Sequence, residues 1–362
     1  MSRFLKTRRM ERGTVRSDQG FTLIELMASV AIFSVVMLAA FAVLSSSQMT
    51  SVTMDQTVQL QQNVRMALDL MARDIRTTGY GNPPAGSLAG CAQHLNAVDN
   101  AVGADAGPDS ISIMTMDQQI GTLGVAYIAG NVITLCATCA LPSDIAIGQV
   151  VSIDGVFTGS VSNFNVGAKT ITLVQPGTAI ALNVVAPVNF QIGAPVVRLA
   201  CIAYTVTDGA ATPPFQLMRA VNGGLPVAMV DGIESLQLAY GLDVNTDGII
   251  DDQNANNIVD CIDFVPNGTP CLQGGVLLAA GGVLTLPATV NATPTSARLV
   301  RITVVGRAVP PSNANVAGNT WSDPTYTGNS AIQAEDQVIA ATPGVRRRVL
   351  TRVVNLRDAS IL

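Results

Sequence analysis

The first part of the chain changes from a continuous apolar run to an amphipathic pattern of apolar and polar positions. Residues 26–44 contain no charge, proline or glycine, which is long enough for a helix to span a bilayer. Beyond Asp55, apolar residues recur at spacings of three and four, and this stripe can be buried against a head domain. Its members are Leu60, Val64, Ala67, Leu68, Met71 and Ile75.

The amphipathic and apolar segments belong to one predicted helix. Neither glycine nor proline occurs between Phe21 and Thr78, and glycines and prolines follow from Gly79. The pattern therefore predicts a helix over residues 21–79, with residues 21–44 as its membrane-spanning part.

The rest of the chain, residues 80–362, has the texture of β-structure. Short β-branched runs alternate with Gly, Pro, Asn and Asp, which predicts strands. The runs are "DSISIMTM", "NVITLCA", "GQVVSIDGVF", "KTITLVQ", "PVVRLACIAYTVTD", "GIESLQLAYGLD", "ARLVRITVVGRAV" and "RRRVLTRVVNLR". Because these strands lie far apart in sequence, an antiparallel sheet laid on the helix is the simplest arrangement, and the fold class is α+β. A strand-rich insertion is expected at about 95–225.

Charge is distributed unevenly along the chain. Residues 1–20 carry six Lys or Arg against two acids, whereas the whole chain has a net charge of -5. The positive-inside rule places this basic segment in the cytoplasm. The acidic remainder argues against nucleic acid as the main partner, because phosphate binding requires a basic surface.

The change of character before the apolar run distinguishes it from an ordinary secretory signal. Such a signal has a shorter apolar core followed by a small-residue cleavage site. Here the break lies at Gly20–Phe21, ahead of the apolar residues. This order predicts processing on the cytoplasmic side, with the hydrophobic helix retained in the mature protein.

The motif "GFTLIELM", after a basic leader and at the start of an apolar helix, resembles the prepilin signature of type IV pilins. The resemblance implies that residues 1–20 are a leader peptide, which a prepilin peptidase removes by cleavage between Gly20 and Phe21. It also implies N-methylation of Phe21 and a glutamate, Glu25, as the fifth mature residue. A generic signal anchor is the alternative.

Glu25 would be costly inside a membrane. A charged carboxylate within a spanning helix costs about 2.5–3.5 kcal/mol unless it finds a partner. The α-amino group that cleavage would create at Phe21 of a neighbouring subunit is a suitable partner. Glu25 is therefore interpreted as a residue that sets the register of subunits during assembly.

Four further stretches resemble PilW-type minor pilins: "ALDLMARDIRTTGY" (67–80), "DGIESLQLAYGLDVNTDG" (231–248), "ARLVRITVVGRA" (297–308) and "RRRVLTRVVNLRD" (346–358). The resemblance implies a type IV pilin fold and a subunit that primes pilus assembly, is located at the pilus tip and supports twitching motility and adhesion. The absence of proline from the apolar half of the helix fits a low-abundance subunit better than the main fibre protein.

The resemblance also implies partners and a location. The partners are other minor pilins, the major pilin, the inner-membrane assembly platform and a large tip adhesin. Before assembly the protein would cross the inner membrane once, with its N-terminus in the cytoplasm and its head in the periplasm; afterwards it would lie in the pilus at the cell surface. The alternatives are a minor pseudopilin of a type II secretion system and a calcium-dependent tip adhesin.

An acidic loop at residues 243–260 predicts a calcium site. It contains two nine-residue units, "DVNTDGIID" and "DQNANNIVD", with oxygen-bearing side chains at positions 1, 3, 5 and 9. Calcium takes six to eight oxygens from a tightly turned loop. The alternative is a polar turn between strands. The candidate ligands are Asp243, Asn245, Asp247, Ile249, Asp251, Asp252, Asn254, Asn256 and Asp260.

Six cysteines in an exported chain favour disulfides, and six cysteines allow 15 pairings. The short spans predict Cys136–Cys139 and Cys261–Cys271, which leaves Cys91 with Cys201. A redox or metal motif is the alternative interpretation of "CATC".

No enzyme motif is evident in the sequence. Its single histidine is His94, and GxSxG, HExxH and phosphate-loop patterns are missing. A structural role is therefore expected, although a hydrolase with two carboxylates remains an alternative.

Overall fold

The computed structural model describes residues 22–79, 88–91, 95–98, 107–175, 185–207, 215–243, 247, 249–252, 264–265, 271–273, 276–278, 297–308, 332–334, 337–339 and 345–356. By its internal contacts the chain divides between Met54 and Asp55 into two compact units. Helix α1 covers Leu23–Arg76. The strands are β1 Leu95–Val98, β2 Ser110–Thr122, β3 Tyr127–Ala129, β4 Val132–Thr134, β5 Val150–Ile153, β6 Phe157–Asn165, β7 Thr170–Val174, β8 Val185–Phe190, β9 Pro195–Val206, β10 Gln216–Val221, β11 Val227–Asp231, β12 Ile233–Leu242, β13 Phe264–Val265, β14 Cys271–Gln273, β15 Val276–Leu278, β16 Ala297–Arg307, β17 Ile332–Ala334, β18 Gln337–Ile339 and β19 Arg347–Asn355.

The amphipathic stripe of α1 is buried as the periodicity predicts. All six of its members are at most 6% exposed, and Val64, Ala67, Met71 and Ile75 are fully buried. The helix ends with Thr77 and Thr78 bonded back to Asp74 and Ile75, before Gly79 adopts a φ of 93°. A positive φ suits glycine, which has no Cβ.

A four-stranded antiparallel sheet packs on this stripe, with the strand order β13-β12-β16-β19. Its inner face contributes alternate residues of two central strands, which join the core beside the helix: Leu236, Leu238, Tyr240, Val300, Ile302 and Val304. Gly306 lies where the helix comes closest, because a Cβ there would overlap the side chains of Val64 and Leu60.

The other face of β12 is also buried, at Ser235, Gln237 and Ala239. Gln237 Nε2 donates to the carbonyl of Gly107 at 2.9 Å. The Asp109 carboxylate accepts a 2.7 Å bond from the N–H of Leu238, and the Asp109 N–H donates to the carbonyl of Leu236. The segment that precedes β2 therefore closes part of the edge of β12.

A nine-stranded antiparallel sheet forms from β1, β2, β4–β7 and β9–β11. Its longest ladder joins β2 to β9, and β9 also pairs with β5 and β10. The sheet extends to Asp231 through β11, so it is slightly longer than the insertion expected at 95–225. A second core lies within this region, around Tyr127, Phe157 and Phe190.

One predicted strand, "GQVVSIDGVF", is instead a hairpin. Asp154 and Gly155 have φ values of 51° and 73°, and β5 turns there to pair with β6. Asp-Gly is a strong hairpin signal because both residues tolerate a positive φ. The remaining runs contain strands, and the predicted α+β class with a largely antiparallel head is confirmed.

Candidate functional site

The first half of α1 presents an apolar surface to solvent. Its most apolar 18-residue window has a mean hydropathy of 2.5 and contains no buried residue. Bulky side chains such as Phe33 and Phe41 are 62% and 72% exposed. Within the described chain, α1 is the single helix long and apolar enough to cross a membrane.

Glu25 begins this helix in a capping box with Thr22. The Glu25 carboxylate accepts bonds from the backbone N–H of Thr22 at 3.0 Å and from its hydroxyl at 2.9 Å. The Thr22 hydroxyl in turn accepts the N–H of Glu25 at 3.3 Å. This arrangement satisfies backbone donors that a helix start leaves unpaired. Gly20 and Phe21 lie outside the described residues, and the assembly role of Glu25 stays a prediction.

Asp74 lies at the other end of α1. The structure buries it to 6% exposure. Its carboxylate accepts a 2.6 Å bond from the Tyr204 hydroxyl and a 3.2 Å bond from Arg219 Nε. Asp74 therefore joins the helix to β9 and β10.

The surroundings of Asp74 affect the tyrosine beside it. Burial, together with the Asp74 carboxylate, raises the pKa of Tyr204. A helical wheel contains the signal for this position, because Asp74 follows Met71 by three residues and Ala67 by seven. Its partners are 130 and 145 residues distant, however, and no local pattern identifies them.

The acidic loop is described at Asp243, Asp247 and residues 249–252. Asp243 is fully buried and forms an ion pair with Arg298. Its other carboxylate oxygen accepts the N–H of Asp247 at 3.1 Å, and the Asp247 carboxylate accepts the N–H of Ile249 at 2.8 Å. These bonds turn the loop tightly, and Asp243 stabilises the loop from inside.

Of the remaining candidate ligands in the acidic loop, the structure describes Asp251 and Asp252. Asp251 donates its N–H to the carbonyl of Leu242 at 2.7 Å, and Asp252 follows it. The described residues contain no group of three His, Cys, Asp or Glu that could hold a metal ion. Asn245, Asn254, Asn256 and Asp260 lie outside the described residues.

Two disulfides stabilise the part of the head that the structure describes. Cys91 and Cys201 are joined with a Cα–Cα distance of 5.7 Å, and Cys136 and Cys139 with 5.1 Å. The first joins segments 110 residues apart and is buried beside Met114 and Leu199. The predicted partner of Cys271, Cys261, lies outside the described residues, as does His94.

Comparison with known proteins matches two parts of the chain to families. Residues 15–41 match the prokaryotic N-terminal methylation motif, and residues 203–358 match the type IV pilus-assembly protein W family. No curated protein matches the chain. Among solved structures, a type IV-like pilin from Thermus thermophilus is similar at 10% identity, over 84% of this chain and 99% of its own, with a TM-score of 0.33.

The two matched regions contain features described above. The methylation motif includes Glu25 and its capping box, and the second match includes Tyr204, Arg219, the acidic loop and strands β12, β16 and β19. The chain therefore carries a prokaryotic N-terminal methylation motif at residues 15–41 and a type IV pilus-assembly protein W (PilW) family region at residues 203–358.

Proposed function

We propose that this protein is a minor pilin of a type IV pilus that helps to prime pilus assembly and is located at the pilus tip. The observation that carries the proposal is the structure of α1. Its first half is apolar and bare, with a methylation motif at its start, and its second half forms the core of a head that matches the PilW family. A bare apolar helix requires either lipid or other helices around it.

The proposed role fits a cycle between membrane and fibre. Before assembly the apolar half of α1 would lie in the inner membrane with the head in the periplasm. After assembly the same surface would pack against the helices of other pilins. The role is structural and requires no catalytic site.

A minor pseudopilin of a type II secretion system would share the leader and the helix. Deletion of the gene, scored for surface pili and for secreted enzymes in the same cultures, distinguishes the two functions. Loss of pili with normal secretion is expected. Loss of secretion with normal pili would assign the chain to the secretion system instead.

Replacement of Glu25 by valine tests how subunits are held in register. Glu25→Val removes the one charge in the first turn of α1, so membrane insertion should be retained or improved. Fibre incorporation should fall at least tenfold, because the amino terminus of the neighbouring subunit loses its ion-pair partner. The measurement compares the protein in sheared pili with the protein in membranes.

Two variants control for local changes in the helix. Ser29→Val adds the same apolar side chain one turn later, and Thr22→Ala removes the side chain that bonds Glu25 but keeps the carboxylate. Both should incorporate normally. Normal incorporation of Glu25→Val would contradict the assembly role.

We also propose that the loop at 243–260 binds calcium and thereby stabilises the head. Asp243 and Asp247 turn the loop tightly, as in calcium loops, and Asp247 is exposed to solvent. Because Asp243 already pairs with Arg298, the ion would depend chiefly on the remaining oxygens of the loop. A calcium-dependent adhesin is the corresponding alternative function, and attachment that fails without calcium while pili persist would support it.

Calcium should raise the free energy of unfolding of the detergent-solubilised full chain. At a calcium concentration one hundredfold above the dissociation constant, the gain is about 2.7 kcal/mol. The double substitution Asp247→Asn/Asp251→Asn should abolish this gain, whereas Asp154→Asn, in the β5–β6 turn, should preserve it. Calorimetry without a heat of binding at millimolar calcium would exclude the site.

A further inference from the structure

Strand β19 leaves one edge of the four-stranded sheet open within the described chain. It pairs with β16 along its whole length and with no other described strand. Bonds from the N–H of Ala308 to the carbonyl of Arg346, and from the N–H of Leu356 to the carbonyl of Arg298, fix the phase of the ladder. In an antiparallel ladder, alternate residues direct their backbone groups to opposite edges. The outward set is therefore Arg347, Val349, Thr351, Val353 and Asn355.

The open edge borders a groove of about 570 Å³ beside the end of α1. Three arginines, Arg73, Arg76 and Arg352, and one acid, Asp69, line it. Arg352 pairs with Asp69, and Arg73 lies 3.4 Å from Asp74. Arg76 has no ion-pair partner in the part of the chain that the structure describes, so the groove carries an excess of positive charge.

The arginine that stabilises the sheet itself does not contribute to the excess positive charge of the groove. Arg347 forms a two-pronged ion pair with Glu234 at 2.5 and 2.8 Å and is nearly buried. Arg348, in contrast, is exposed on the same strand, and no described residue forms an ion pair with it. The surplus charge is thus concentrated beside an edge whose backbone groups face outward, although the whole chain is acidic.

We propose that the edge of β19 binds an extended, acidic segment of another pilus subunit as an added strand. The segment would pair with the outward N–H and C=O groups of Val349, Thr351 and Val353, and place a carboxylate against Arg76. Backbone pairing supplies affinity in this mode of recognition, and side-chain pockets supply specificity. An arginine can bind a carboxylate through two parallel hydrogen bonds, which fixes the register of the added strand. The proposal rests on the proposed function as a pilus subunit.

Charge favours an acidic protein strand as the occupant. A strand with basic side chains would face Arg76 and Arg348 and be repelled. An uncharged strand would leave the excess positive charge of the groove without an opposite charge beside it. A segment of this same chain is the competing occupant, and the experiment below identifies it by the position of the cross-link.

A photo-cross-linking residue at Val353 tests the proposal in cells that assemble pili. Val353 is 47% exposed, so its side chain can be replaced without disturbing the core. We expect an adduct between the full-length protein and another pilus subunit, which peptide mapping places in an extended segment with Asp or Glu. An adduct within the same chain, or none, would overturn the proposal.

Two substitutions should each lower the yield of this adduct at least tenfold. Thr351→Pro removes an outward N–H but no backbone bond to β16, and proline is tolerated on edge strands for this reason. The side-chain bond from Thr351 to the Thr303 hydroxyl is lost in Thr351→Pro and in its valine control alike. Arg76→Glu reverses the unpaired charge in the groove. The matched controls are Thr351→Val and Arg65→Glu, a helix arginine outside the groove, and both should leave the yield unchanged.

The same strains separate failure of this proposal from failure of the proposed function. Thermal unfolding reports whether Thr351→Pro is folded. If that variant is unfolded, the adduct yield of Arg76→Glu tests the edge proposal by itself. An unchanged yield in Arg76→Glu would overturn the edge proposal while pilus counts still support the function. Normal pili in a strain that lacks the gene would overturn the function itself.

Discussion

Joint replacement of Cys91 and Cys201 by alanine will lower the free energy of unfolding by at least about 4.8 kcal/mol. The disulfide connects residues 110 positions apart, and closing so long a loop restricts the unfolded chain strongly. Both cysteines are almost fully buried, so the same change also removes packing against Met114 and Leu199. Denaturant unfolding of the detergent-solubilised full chain, under non-reducing conditions, measures the loss.

The second disulfide of the structure is the control. Cys136 and Cys139 are separated by three positions, and the same loop-closure relation gives about 2 kcal/mol for their joint replacement by alanine. The two double variants should therefore differ by about 3 kcal/mol. Equal losses would show that loop length does not determine how these bonds stabilise the head.

Replacement of Asp74 by alanine will destabilise the head by about 3–5 kcal/mol. Removing one partner of a buried ion pair leaves the other charge uncompensated, and Arg219 is three-quarters buried. The Tyr204 hydroxyl, also buried, would lose its acceptor. The double variant Asp74→Ala/Arg219→Met removes both charges and should recover part of the loss. Denaturant unfolding of each variant provides the measurement.

Asp69→Ala is a matched control on the same helix. Asp69 also pairs with an arginine, Arg352, but its side chain is 72% exposed. Exposed ion pairs contribute about 0.2–1 kcal/mol, so this variant should remain close to wild type. Similar losses for Asp69→Ala and Asp74→Ala would contradict the role assigned to burial.

The alkaline titration of Tyr204 gives a second readout of the Asp74 contact. Burial and Asp74 raise the pKa of Tyr204 in the folded protein. The contribution of neutral Tyr204 to the free energy of unfolding is therefore complete below the pKa of an unfolded tyrosine, about 10. It is lost as the pH rises through the folded pKa. In Asp74→Ala, phenolate absorbance should appear at a lower pH. An unchanged titration would show that burial alone accounts for the raised pKa.

Local periodicity was sufficient to predict the helix and most strands. The stripe from Leu60 to Ile75 needed only the 3.6-residue repeat, and the structure buries each of its members. The β-branched runs likewise predicted strands, because the preference of a segment for β-structure depends on residues that are neighbours in the chain. The hairpin at Asp154–Gly155 was missed although its signal is local, since the flanking apolar residues masked the turn.

Long-range contacts were beyond the reach of such patterns. The helical repeat places Asp74 beside the buried stripe, but only the fold brings Tyr204 and Arg219 to it. Asp243 could be recognised as part of a polar loop, but its pairing with Arg298 depends on the register between β12 and β16. The pattern of oxygens in that loop is a property of sequence, whereas calcium binding there remains a prediction.

By itself, the sequence determined the apolar helix with its methylation motif, the α+β class and the approximate extent of the strands, because each depends on residues close together in the chain. Only the tertiary structure decided which strands are neighbours, which charges are buried and which edge stays open within the described chain. Those features arise when segments distant in the chain pack together, as in the contacts of Asp243 with Arg298 and of Asp74 with Arg219. Nothing within any one segment encodes its distant partner.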